Sequence, residues 1–146
     1  MNDTAKNTLT STIYATVSTV TTDGQPWATP VHFAYDEHNI YWLSNENAIH
    51  SMNIDRDNRV FITIFDSRQV AETLADRGAV YIATHAMKLA GDAAIAARDV
   101  YADRFSDDNN RKLSEWSVYC APIGQLDEIK SRGSLLYYRH DIEASA

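Results

Sequence analysis

The sequence predicts an α+β chain that is mainly β: six or more antiparallel strands forming a small barrel, with two or three helices outside it. Three observations lead there. β-Branched and aromatic residues alternate through short runs such as Ile13–Thr21, IYATVSTVT. Turn signals, not long crossovers, separate the runs. No strand–helix–strand rhythm appears, which sets the chain apart from the parallel sheets that bind dinucleotides.

Taken in order, Ile13–Thr21 is the first strand, and Asp23-Gly24 marks a hairpin turn after it. Trp27–Tyr35, WATPVHFAY, is the second strand; Pro30 cannot donate to a ladder and so implies a bulge or an edge. The stretch DEHN turns the chain, and Ile40–Leu43 is the third strand. SNENAIHSMNI, Ser44–Ile54, then opens a helix, with Asn47 as the expected N-cap and Ile49, Met52 and Ile54 as its apolar side. Asp57-Asn58 ends it. Val60–Phe65, VFITIF, carries β-branched or aromatic residues on both faces and reads as a central strand. Ser67–Gly78 is a loop, and Ala79–Leu89 is a long fifth strand. Asp92 is expected to cap a helix running to about Phe105, with Ala93, Ala94, Ala97, Val100, Tyr101 and Phe105 on its apolar face. A short polar helix is expected around Lys112. Ser117–Ala121 and Leu135–Arg139 finish as strands, with Gln125–Ile129 a further candidate.

The 146 residues fit a single domain, 1–146, with a sizeable core. Thirteen basic and twenty acidic residues give a net charge of −7. That balance argues against nucleic acid and anionic membrane as main partners, since both call for a basic face. No apolar run approaches the ~20 residues that span a bilayer. The N-terminal stretch lacks the basic start and apolar core of a secretory signal, so a cytoplasmic location is expected. Cys120 is the only cysteine; it excludes an intrachain disulfide and reads as a small core residue in VYCAP.

Several chemistries are absent from the pattern. The five glycines share no loop, so neither a phosphate-binding loop nor a dinucleotide fingerprint is present. The five histidines are scattered, with no two at ligand spacing, and no metal site is expected. No serine occupies a nucleophile elbow. Two features remain open. The helix beginning in SNENAIH has unpaired N–H groups and a positive dipole end, so it suits either ordinary capping or an anion. In TPVHF, Thr29–Phe33, a Pro-disrupted edge offers backbone groups to a planar ligand, or is a plain bulge.

The ordered set of pieces resembles a family. The stretch from YATVST through DGQPWATPVHFAYD, YWLS, HSMNI and RDNRVFITIFD is similar to the FMN-binding split-barrel proteins, the pyridoxamine 5′-phosphate oxidase-like group. GAVYIATHAMKL and VYCAP fit later strands of that group. The resemblance implies a six-stranded antiparallel split β-barrel flanked by helices, forming a homodimer with FMN in a cleft at the interface. It places Pro30, Val31, His32 and Phe33 on the ring side. It places Ser44 and Asn45 toward the ribityl chain or phosphate, and His50, Ser51 and Asn53 at the phosphate end. Thr63 and Phe65 are further, weaker contacts. The chain also departs from the group: Ala28 and Phe33 stand where an Arg and a Lys are usual, Ala48 replaces a Ser, and His50 replaces a Lys. Gly78 or Ala79 stands where a Gln is frequent.

The implied function is a flavoprotein oxidoreductase with an unknown small-molecule substrate, with no side chain assigned a catalytic role. Pyridoxamine-phosphate oxidation itself is not expected, and the scarcity of cations predicts weak flavin affinity, or none. Two alternatives stand beside it. One is a non-catalytic binding module for flavin or haem, with His32 or His85 as haem ligands. The other is a deazaflavin-dependent reductase, whose larger charged cofactor calls for a basic groove this acidic chain does not advertise.

Overall fold

The structure, a computed structural model, describes residues 1, 3–68, 78–105, 115–124, 126, 129–132 and 135–141. The described elements, in order, are α1 (Asp3–Ser11), β1 (Tyr14–Val20), β2 (Pro26–His32), β3 (Ala34–Tyr35), β4 (Asn39–Ser44), α2 (Ile49–Arg56), β5 (Arg59–Phe65) and β6 (Gly78–His85), followed by β7 (Met87–Lys88), α3 (Gly91–Arg104), β8 (Ser117–Pro122), β9 (Ile129–Arg132) and β10 (Leu135–Asp141). They form two sheets, one in the order β2-β1-β5-β6-β10-β9 and one in the order β3-β4-β8-β7. This is the α+β, mainly antiparallel arrangement expected, with one difference: β10 runs parallel to β6.

Two of the predicted strands are each broken in two. Trp27–Tyr35 divides at Phe33 into β2 and β3, and Ala79–Leu89 divides at Ala86 into β6 and β7. At each break the chain leaves one sheet for the other. Phe33 and Ala86 are fully enclosed at these corners. Their N–H groups bond across to Ile13 O and Asn58 O, at 3.1 and 2.8 Å, so neither corner strands a donor. Alternation alone cannot show a change of sheet, because the period of two continues through it.

Between the sheets lies a core of Val17, Phe33, Ile40, Trp42, Ile62, Ile64, Ile82, Tyr119 and their neighbours. A second cluster, including Leu43, Val118 and Cys120, is covered by α3 through Ala97 and Tyr101, two of the residues expected on its apolar face; Ala93 is exposed. Pro30 lies in β2, an edge strand of the larger sheet, where a missing donor costs no ladder bond.

Four local expectations are corrected. α1 lies where no element was expected; it buries Ala5, Thr8 and Leu9. α2 begins after Ala48, not Asn47, and no side chain caps it. Its inward face is Ser51, Asn53 and Ile54, while Ile49 and Met52 are exposed. α3 likewise begins after Ala90 with no side-chain cap, leaving Asp92 in its first turn. The helix expected around Lys112 and most of the loop after Ser67 lie outside the described residues, as do Gln125 and most of the segment that follows it.

Candidate functional site

β4 ends at Ser44, and α2 begins after a connection of four residues. The connection is a built turn: the Asn47 N–H donates to Asn45 Oδ1 at 2.9 Å, and the Ala48 N–H to Asn45 O at 3.0 Å. The Asn45 side chain therefore organises the turn. Ala48 occupies the N-cap position with extended backbone and no side-chain acceptor. Alanine is a poor cap, so the first N–H groups of α2 receive no side-chain partner.

Three polar side chains converge beside these groups. Ser51 Oγ donates to Ser44 Oγ at 3.0 Å, and Ser44 Oγ lies 2.6 Å from His50 Nε2. Ser44 Oγ, which accepts from Ser51, also reaches Asn45 O at 3.5 Å, so the imidazole tautomer sets whether its proton goes to His50 Nε2 or to that carbonyl. Burial depresses the His50 pKa below its ordinary 6.5, because a partly enclosed ring resists charge. Ser44 and Ser51 are themselves buried. Behind them the Tyr119 hydroxyl is wholly enclosed beside Ser51 without closing a hydrogen bond of full geometry.

The other residues implicated by sequence fall at varied distances from this cluster. Asn53 is buried and its amide is spent on Thr19 Oγ1 at 3.0 Å, which ties α2 to β1. Pro30 is exposed on the edge strand β2, with Val31 turned inward beside it. His32 is half-buried: its ring lies near-parallel to Phe105, centroids 5.5 Å apart, and Tyr14 meets it at 4.4 Å in a tilted contact. Phe33 is fully buried and its N–H already donates to Ile13 O, so it faces the fold and not a ligand. Its ring lies under the Arg104 guanidinium, 4.6 Å from the centroid. Thr63 and Phe65 lie on β5, on the outer face of the larger sheet, with Phe65 exposed.

Sequence reading missed Glu46, Lys88, Ser117 and Tyr119. Lys88 Nζ lies 3.1 Å from Glu46 Oε1, and Ser117 Oγ donates to the same oxygen at 2.7 Å. Both contacts hold the Glu46 carboxyl below its usual range. These residues are far apart in sequence, and only the register of β4, β8 and β7 brings them together, so no local signal could mark them. Two clefts open elsewhere. One of about 330 Å³ is lined by Tyr14, Phe65 and Arg68 among others; another of about 500 Å³ lies between Tyr35 and Arg104. Among the described residues no group of three His, Cys, Asp or Glu side chains is placed to hold a metal.

Comparison with known proteins accords with this architecture. The family model described as pyridoxamine 5′-phosphate oxidase matches residues 1–137. Curated proteins yield no match. Among solved structures, the haem storage protein HutZ from Vibrio cholerae superposes with a TM-score of 0.70 at 16% identity, covering 83% of this chain and 88% of that one. A haem-binding protein from Mycobacterium smegmatis gives 0.65 at 24% identity, covering 92% of this chain and 59% of that one. An FAD-binding protein from Mesorhizobium loti gives 0.62 at 17% identity, covering 86% and 91%. At these identities the structures speak for the fold alone. With the family model spanning most of its length, the chain belongs to the pyridoxamine 5′-phosphate oxidase family.

Proposed function

We propose that this protein is an FMN-binding oxidoreductase acting on a small-molecule substrate, working as a cytoplasmic homodimer with the cofactor cleft between subunits. One observation carries the reading: the uncapped start of α2, ringed by Ser44, His50 and Ser51. A helix start without a cap costs about 1 kcal/mol, so the arrangement suits an anion that meets the first N–H groups of α2. The residues present fit a phosphate through neutral donors and the helix dipole. The edge strand β2 turns the Pro30 carbonyl, on the side away from β1, toward the rim of a planar ring. A flavin would supply hydride transfer; the chain would bind and orient it.

The dimer is supported by the outer face of the larger sheet. Pairing places Tyr14, Phe61, Thr63, Phe65 and Tyr81 on that face, and Tyr14, Phe61 and Phe65 are exposed. Large apolar side chains gathered on one sheet face call for a cover. Among the described residues no helix is long and apolar enough to cross a membrane.

Titration with FMN should quench flavin fluorescence, and His50→Ala should weaken binding by roughly tenfold or more, the size of a lost charge-assisted hydrogen bond. Absence of binding at high-micromolar flavin would overturn the reading. A second reading, haem binding, draws on two of the similar structures, which are by name haem proteins. His85 stands half-buried on β6, across from Arg59, and His32 is half-buried with its ring stacked on Phe105. A Soret band on haem addition, lost in His85→Ala or His32→Ala, would favour haem over flavin.

A further inference from the structure

The candidate phosphate site has no fixed positive charge of its own. Burial disfavours the charged form of His50, and Arg56, at the far end of α2, is committed to Thr22 Oγ1, Asn53 Oδ1 and Val20 O. A cation nevertheless stands nearby, and the register of the smaller sheet shows where. Ser44 lies directly across from Ser117, and Trp42 across from Tyr119. Tyr119 in turn lies across from Lys88. Directly opposed residues, and alternate residues along one strand, point to the same face. Trp42, Ser44, Ser117, Tyr119 and Lys88 therefore share one face. It is the face on which α2 lies, because Ser44 meets His50 and Ser51 there. The opposite face carries Tyr41, Leu43, Val118 and Cys120 under α3.

We propose that Lys88 is the cation that receives the anionic end of the ligand at the start of α2, and that Glu46 holds it in reserve until the ligand arrives. The inference rests on the phosphate reading of that helix start and adds a residue to it. Glu46 belongs to the turn between Ser44 and α2, one residue after Asn45, so the Lys88 ammonium is already moored at the site's edge, 3.1 Å from Glu46 Oε1. Both partners are well exposed, with side-chain accessibilities of 41% and 56%. Such a pair is weak and easily exchanged, and a lysine is a compact charge on a flexible stem. A phosphate, with more charge than one carboxylate, takes the ammonium. Glu46 stays anchored by Ser117 Oγ. The independent sign that this place awaits a polar guest is Tyr119. Its hydroxyl is fully buried beside Ser51 without a full hydrogen bond, on the strand position directly across from Lys88, whose charge it feels. Among the described residues, Asp55 also acts on both Lys88 and Tyr119, from α2 one turn beyond Ser51.

The test uses the full chain and three variants: Lys88→Met, Glu46→Gln and the double substitution, each checked for an unchanged melting profile. FMN and riboflavin are titrated in parallel, because they differ only in the phosphate. Lys88→Met should weaken FMN about fivefold and leave riboflavin unchanged. Glu46→Gln should tighten FMN by a similar factor, and the double variant should lose most of that gain. A Lys88→Met protein that binds FMN as tightly as the unaltered chain, or loses riboflavin equally, overturns the proposal. Inorganic phosphate, followed through the amide NMR shifts of Ala48–Ser51, provides an arm independent of the flavin ring. Saturable shifts weakened in Lys88→Met support the role of Lys88 even where neither flavin binds, an outcome that would overturn the flavin reading alone. No shift on phosphate addition sinks both the anion site and the role of Lys88.

Discussion

His50 is where the phosphate reading is most exposed to test. Its pKa is depressed in the folded chain, so the unfolded chain binds a proton that the fold does not. The stability this contributes is present above the unfolded value near 6.5 and is lost as pH falls through 6.5 toward the lower folded value. A bound phosphate dianion reverses the preference, favouring the charged ring and drawing in a proton. FMN should therefore bind more tightly as pH falls from about 8 to about 6.5. His50→Ala should flatten the profile, and riboflavin should show none in either protein. Arg104 poses a structural question at the same scale. Its guanidinium donates to Leu9 O at 2.8 Å and to Thr12 O, and sits over the rings of Phe33 and Tyr35. It thereby fastens the end of α3 to the end of α1, where the helix dipole is negative. Arg104→Met keeps the stem but strands those carbonyls, and urea unfolding should show a loss of ~1–3 kcal/mol. Lysine should rescue this incompletely, since it cannot present a planar fork over the rings.

At the scale of elements, α1 and α2 are held by the rest of the fold and not by their own sequences. Nine residues with three threonines and little apolar content do not sustain a helix alone. α1 exists because Ala5 and Leu9 are fully enclosed in the main core. Leu9→Ala should cost ~2–5 kcal/mol, read from the denaturation midpoint, as for other large-to-small changes at filled sites. α2 inverts the usual helix: polar Ser51 and Asn53 face inward, and Met52 faces out at 50% exposure. The inversion is tolerated because Ser44 and Thr19 meet the two inward polar groups. It also explains why hydrophobic spacing misjudged this helix. The pattern rule assumes an apolar core on the inner side, and here that side is a polar junction between β1 and β4.

At the scale of the whole molecule, two broken strands turn one run of β structure into two sheets, and the larger sheet is left with aromatic side chains on its outer face. Phe61 and Tyr81 pack there with ring centroids 6.1 Å apart. If a second copy covers this face, analytical sedimentation should give a dimer. Phe61→Glu should shift it to a monomer without lowering the melting temperature of the dilute protein, because the side chain is outside the core. A monomeric unaltered chain would remove the interface from the reading.

The sequence by itself determined the class of fold, most of the strands, the helix that becomes α3, and the stretch in which Ser44, His50 and Ser51 meet. These are properties of local periodicity and of residues close together in the chain. Only the tertiary structure decided that Phe33 and Ala86 are corners, that α1 forms, and that Ala48 leaves α2 uncapped. It alone placed Lys88, Ser117 and Tyr119 beside a turn some forty to seventy residues away. The physical reason is that strand register is set by pairing between distant segments. A side chain's neighbours across a sheet are fixed by hydrogen bonds that no local pattern encodes.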